Sequence, residues 1–243
     1  SAGATETDDR VPEAASGVDW LPVRGIPRAA ESCAQPTMTD TLAWLEFEPP
    51  TLQRAKAADR PVILLAPHFI GLDMGGIRIA SEYRAVSVYS RQKNPAFDAV
   101  LYHGRTRFVM PDLYSRQDGI RPVVKSMRKG LPFYYLPDMD LGGRDSIFVP
   151  FFGVPAATIT GLARIAQLAK AVIVPAVTFQ LPGAQGYVLR FFPAWDGYPS
   201  GDADADARRM NAFIEDRVRE MPEQYYWVHK RFKTRPDGEP ALY

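Results

Sequence analysis

The stretch LLAPHFIGLDMGG, residues 64–76, places a histidine, His68, five positions before an aspartate, Asp73, at the end of an aliphatic run. Polar groups buried without hydrogen bonds cost free energy. A His–Asp pair in this setting is therefore either a structural hydrogen bond or a base with its orienting partner. In the second case the carboxylate fixes the tautomer at one ring nitrogen, and the other nitrogen takes a proton from a hydroxyl. No G-x-S-x-G stretch accompanies the pair, so the serine-hydrolase reading lacks its nucleophile.

Two more clusters carry polar chemistry. In YSRQKNP, residues 89–95, Arg91 and Lys93 stand between a strand end and a helix start, where a helix N-terminus favours an anion. An exposed basic loop is the plain alternative. In YLPDMDLGGRDSIFVPFFGVPAAT, residues 135–158, Asp138 and Asp140 follow a strand end and precede Arg144. They would orient Arg144 or contact substrate hydroxyls, unless they are simply an Asp-rich turn. A metal would need further oxygen ligands than this neighbourhood supplies. The segment FVPFFGVP, with Pro150 and Pro155, is apolar enough to line an acyl groove or to be a buried strand and turn. The tail HKRFKTRP, residues 229–236, beside YYW, suits a membrane surface or a solvated C-terminal face. His103 and His229 have no motif around them.

These residues need elements to hold them, and the pattern supplies strands alternating with helices. Residues 61–66 read as a buried strand and 72–83 as the helix after it. Residues 85–90 read as a second strand, and a helix opens at Asn94 with Pro95 at its first position. A helix is expected over 118–130, closed by Gly130, then a strand over 131–138. An amphipathic helix over 157–171 precedes two strands, in VIVPAVTFQ and YVLRFFPAW. A long closing helix over 204–227 breaks near Pro222. This alternation predicts one α/β domain with a mixed, mostly parallel sheet flanked by helices. In such sheets functional groups gather past the carboxyl ends of strands, where His68 lies. Residues 1–40 lack periodicity and read as an irregular or partly disordered segment, leaving 41–243 as the domain.

Composition agrees with a globular chain: 46% of its 243 residues are hydrophobic and 23% charged. A formal net charge of +1 argues against a bulk nucleic-acid binder. Residues 1–60 hold 6 Lys/Arg against 10 Asp/Glu, and residues 61–243 hold 23 against 18, so the folded part is mildly basic. The single cysteine, Cys33, excludes an intrachain disulfide and a Cys-based zinc site. No run approaches the roughly 20 apolar residues a membrane-spanning helix needs.

Taken in order, His68-x4-Asp73, YSRQKNPAFD, YLPDMDLGGRDSIFVPFFGVPAAT and YYWVHKRFKTRPDGEPALY resemble the late acyltransferases of lipid A biosynthesis. These are the lauroyl and myristoyl transferases within the lysophospholipid acyltransferase superfamily. The likeness covers about residues 60–243. It implies a glycerolphosphate-acyltransferase-like fold and transfer of a fatty acyl chain from acyl carrier protein to a hydroxyl of a lipid A precursor. His68 would be the general base and Asp73 its partner. Arg91, Lys93, Asp138, Asp140 and Arg144 would hold substrate polar groups, and Pro150 and Pro155 would shape the acyl site. No cofactor, metal or nucleic acid is implied. Members usually begin with a hydrophobic anchor helix, and residues 1–40 show none. The expected place is the cytoplasmic face of the bacterial inner membrane, peripheral in this chain. Another lipid acceptor (a lyso-phospholipid, an ornithine lipid or a glycolipid), hydrolysis, or an inactive lipid-binding homologue remain the alternatives.

Overall fold

The computed structural model describes residues 45–46, 53, 60–106, 112–143 and 146–243. The expectations for residues 1–40, for Cys33 and for Arg144 fall outside them. Nine strands are described: β1 (Leu45–Glu46), β2 (Val62–Leu65), β3 (Val86–Tyr89), β4 (Asp112–Ser115), β5 (Phe133–Tyr135), β6 (Ser146–Phe151), β7 (Val154–Ile159), β8 (Val172–Gln180) and β9 (Tyr187–Phe191). Seven form one sheet in the order β1-β9-β8-β2-β5-β3-β4, parallel throughout except where β8 meets β9. β6 and β7 form a separate antiparallel hairpin.

The helices are α1 (Leu72–Glu82), α2 (Pro95–Thr106), α3 (Arg121–Met127), α4 (Gly161–Ala169) and α5 (Ala203–Glu220). All four residues of β2 are buried, as expected of a central parallel strand covered on both faces. Successive side chains alternate between those faces. Ile63 and Leu65 pack with Val123 of α3, Leu162 of α4 and Ile214 of α5, whereas Val62 and Leu64 pack with Ile79 of α1. Burying one such side chain contributes about 1.5–3 kcal/mol, so the sheet holds its strand ends firmly where the site is built.

Several elements match the expected pattern closely. Asn94 caps α2, its side-chain oxygen accepting from the backbone N–H groups of Ala96 (3.0 Å) and Phe97 (3.2 Å). The helix expected over 118–130 is confined to Arg121–Met127, and Gly130 leaves it with φ +87°. The closing helix ends at Glu220, before Pro222, which lacks an amide hydrogen to continue it.

One assignment is corrected. Residues 157–159, expected as the first turn of a helix, belong to β7, and α4 starts only at Gly161. The cause is tertiary: Phe148 pairs with Ala157, Ile147 with Thr158 and Ser146 with Ile159 across the hairpin. The Arg231 guanidinium then donates to the carbonyl of Ala157 at 2.7 Å. The apolar FVPFFGVP segment is the turn of this hairpin, with Phe152 (φ +51°) and Gly153 (φ +76°) between the paired Phe151 and Val154. Positive φ at both central residues is what a type I′ hairpin turn requires.

Candidate active site

Parallel pairing builds the site. β2 and β5 lie side by side with Leu65 opposite Tyr135. Counting three residues on from each reaches His68 and Asp138, so the two loops leave the sheet edge together. The local sequences match as well: Leu65-Ala66-Pro67-His68 and Tyr135-Leu136-Pro137-Asp138. The backbone N–H of His68 donates to Asp138 Oδ2 at 2.9 Å and Oδ1 at 3.2 Å, and Nδ1 lies 2.7 Å from Oδ1. Phe69, fully buried against Phe179 and Tyr225, pins the loop immediately after the histidine.

Burial pushes the Asp138 carboxyl up, but the charge and hydrogen bonds of His68 and the charge of Arg231 outweigh it and bring the pKa down to about 2. A carboxylate only accepts. Nδ1 of His68 therefore carries the hydrogen of this bond, and Nε2 is the ring nitrogen left over. Nε2 makes no hydrogen bond among the described residues. The side chain of His68 is 12% exposed and that of Asp138 only 1%, so a substrate reaches the imidazole and not the carboxylate.

This differs from the expected pairing. Asp73 lies in the first turn of α1, half-exposed, and accepts from Arg105 Nε at 2.8 Å. Its helix faces α2, whose last turn supplies the arginine, while the neighbouring strand supplies the partner of His68. Asp138, expected as a substrate contact, instead accepts from both the backbone and the ring of His68. Gly71, at φ −83°, has a backbone that any residue can adopt, and what it supplies is space. A Cβ there would lie 2.9 Å from Thr178 Cγ2, and one on Gly75 would lie 2.0 Å from Thr178 Oγ1. The two glycines let α1 press onto β8.

Asp140 is buried and committed to structure: it accepts from Gly142 N (3.0 Å), Thr234 N (2.8 Å) and Thr234 Oγ1 (2.8 Å). It ties the third loop to the C-terminal segment. Arg91 and Lys93 are exposed on the loop before α2, which is folded back by Gln92 N donating to Asp98 at 2.8 Å. Pro150 and Pro155 face each other across the β6–β7 hairpin, and their carbonyls accept from Asn211 (2.9 Å) and Arg235 (2.6 Å). The basic tail divides: Lys230 and Lys233 are exposed, while Arg231 is buried, with donors to Ala157 and Thr158.

The sequence pointed to no role for His229. Its ring meets that of His68 edge to face, with centroids 4.3 Å apart and planes at 83°. The segment carrying it is stitched to the histidine loop: Tyr226 N donates to His68 O and Ile70 N to Gln224 O, both at 2.9 Å. Nothing in the spacing of HKRFKTRP signals this contact across 161 positions. The repeated strand-X-Pro-polar pattern, by contrast, did hold a signal for His68 and Asp138.

Comparison with known proteins follows the same residues. Residues 41–234 match the family model described as bacterial lipid A biosynthesis acyltransferase. The chain is 36% identical over 193 residues to the lipid A biosynthesis lauroyltransferase of Escherichia coli (strain K12), covering 79% of this chain and 62% of that protein. It is 38% identical over 189 residues to a lipid A biosynthesis acyltransferase of Haemophilus influenzae, covering 77% and 58%. It is 34% identical over 193 residues to the lipid A biosynthesis myristoyltransferase of Escherichia coli (strain K12), covering 79% and 59%. The chain thus spans less than two thirds of the length of these relatives. With four fifths of its residues matched to one family model, the chain belongs to the bacterial lipid A biosynthesis acyltransferase family.

Proposed function

We propose that this chain is an O-acyltransferase that moves a fatty acyl group from an acyl carrier protein thioester to a hydroxyl of a lipid A precursor. The observation that carries the reading is the bond between His68 Nδ1 and the buried Asp138 carboxylate, which engages one ring nitrogen and leaves Nε2 without a partner among the described residues. His68 takes the proton of the acceptor hydroxyl as the oxygen attacks the thioester carbonyl. The tetrahedral intermediate collapses with loss of the thiolate, and the imidazolium returns its proton to that sulfur. One C–O bond forms, one C–S bond breaks, and no acyl-enzyme is needed. Asp73, tied to Arg105, holds the start of α1 against α2 at the rim. Arg91 and Lys93, before the N-terminus of α2, hold the acceptor's phosphate.

Lipid substrates fit the surroundings. Ile70, Met139, Leu141, Tyr226, Trp227 and Val228, all exposed, lie on the segments that carry His68, Asp138 and His229. Exposed apolar clusters of this kind mark interaction surfaces. Among the described residues no helix is long and apolar enough to cross a membrane. The exposed apolar residues, with Lys230 and Lys233 beside them, support work at the cytoplasmic face of the bacterial inner membrane. An acidic carrier would find Arg121, Lys125, Arg128 and Lys129 around a cleft of about 410 Å³ floored by Val124 and Leu168.

The test is mass spectrometry of the lipid products formed by purified protein from lauroyl- or myristoyl-acyl carrier protein and a lipid A precursor. A gain of one acyl chain on the precursor supports the reading. Free fatty acid released without an acceptor indicates hydrolysis instead, and acylation only of a lyso-phospholipid, ornithine lipid or glycolipid reassigns the acceptor.

A further inference from the structure

His229 is placed by more than its own side chain. It ends a short 3-10 turn, Trp227–His229, whose entry residue Tyr226 is hydrogen-bonded through its backbone to the carbonyl of His68. After it, Lys230 turns the chain through a left-handed conformation at φ +53°, unusual for a residue with a side chain, and Arg231 plunges into the interior. The ring is caught between two others: His68 at 4.3 Å and 83°, and Tyr226 at 4.5 Å and 78°. Its Nε2 is buried with no hydrogen-bond partner among the described residues. Among the described residues no side-chain hydrogen bond holds this imidazole in place.

We propose that His229 is a positioning residue for His68, its ring clamping the imidazole plane perpendicular to its own. The proposal rests on the reading of His68 as a base. A single hydrogen bond from Nδ1 to Asp138 anchors one edge of the His68 ring and leaves its tilt about that bond to other contacts. The perpendicular ring of His229 supplies the second restraint, and together they aim Nε2.

Electrostatics act in the same sense. The groups facing His229 are His68 and Asp138 from the two strand-end loops, and Arg231 and Lys233 from its own segment. Burial, His68, Lys233 and Arg231 push its pKa down, against Asp138, to about 4. His229 is therefore uncharged near neutral pH. A second positive charge this close to the His68 ring would disfavour a positive charge on it.

The experiment compares kcat, KM and the pH profile of acyl transfer for wild type, His68→Ala, His229→Ala, His229→Phe and His229→Lys. The His68 imidazole is also titrated by NMR in each folded protein. His229→Ala is expected to lower kcat tenfold or more, with KM little changed, as the aim of Nε2 is lost. His229→Phe, which restores an uncharged ring, recovers most of that loss. His229→Lys sets a fixed positive charge beside His68, so its titration and the acid limb of the profile both move to lower pH. A folded His229→Ala protein with wild-type kcat, or a His229→Lys protein in which His68 titrates as in wild type, overturns the proposal. Activity retained in His68→Ala instead overturns the underlying reading of the base, so the two failures are distinguishable.

Discussion

His68 presents two donors to a single carboxylate: its backbone N–H lies 2.9 Å from Oδ2 of Asp138 and its ring Nδ1 lies 2.7 Å from Oδ1. One aspartate thus fixes both the loop and the tautomer. Replacing it with asparagine keeps the shape but removes the charge and the certainty of the acceptor. Asp138→Asn should lower kcat by up to about 10⁴-fold. Asp138→Ala should in addition cost about 1–3 kcal/mol of stability by stranding a backbone donor. Steady-state kinetics and denaturant melts on the same preparations separate the two effects.

Asp73 should behave differently. Its bond to Arg105 is partly exposed, and such ion pairs contribute about 1 kcal/mol or less. Asp73→Ala is expected to cost less activity than Asp138→Asn under identical assay conditions. If Asp73→Ala proved as damaging as His68→Ala while Asp138→Asn stayed active, the orienting role would belong to Asp73.

Packing of α1 on β8 makes Gly75 the most demanding position near the site. An added Cβ would sit 2.0 Å from Thr178 Oγ1, so Gly75→Ala should destabilise by about 1–3 kcal/mol, lowering Tm by several degrees. Thr178→Ala in the same chain removes the clashing atom and should recover much of that loss. Thermal melts of the single and double variants give the answer; equal melting of Gly75→Ala and wild type would mean that α1 does not press on β8.

The pH dependence of stability has a definite sign. His229 titrates near 4 in the folded protein against an ordinary value of 6.5. Below 6.5 the unfolded chain binds the proton more readily, so stability falls as pH drops from about 6.5 towards 4. His229→Phe should flatten this window. Asp138, held at about 2, acts lower down: its contribution is complete above about pH 4 and disappears as pH falls towards 2. Melting temperatures of wild type and His229→Phe across this range check the sign. A slope identical in both would remove His229 as its source.

Local features of the fold were legible because local forces set them. The aliphatic run before His68 formed a buried strand, and Asn94 capped α2, each determined by residues within a few positions. Residues 157–159 carry a helical spacing, yet their strand character comes from pairing with β6, which that spacing cannot reveal. The choice between Asp73 and Asp138 was hidden for the same reason. It depends on which strand lies beside β2, and strand order is a tertiary fact. The matching Ala-Pro-His and Leu-Pro-Asp turns after the two strands were nevertheless in plain view, and adjacent parallel strands turn that likeness into contact. His229 had no such marker, since only folding of the C-terminal segment onto the histidine loop brings it there.

The base assignment rests most directly on His68 itself. Single-turnover acyl transfer to a lipid A precursor should be measured by mass spectrometry for wild type and for a His68→Ala protein shown by circular dichroism to be folded. Loss of about 10²–10⁴-fold in rate is expected if Nε2 is the base. Product formation at the wild-type rate by the folded variant would place the proton acceptor elsewhere and leave the His68–Asp138 pair as a structural bond.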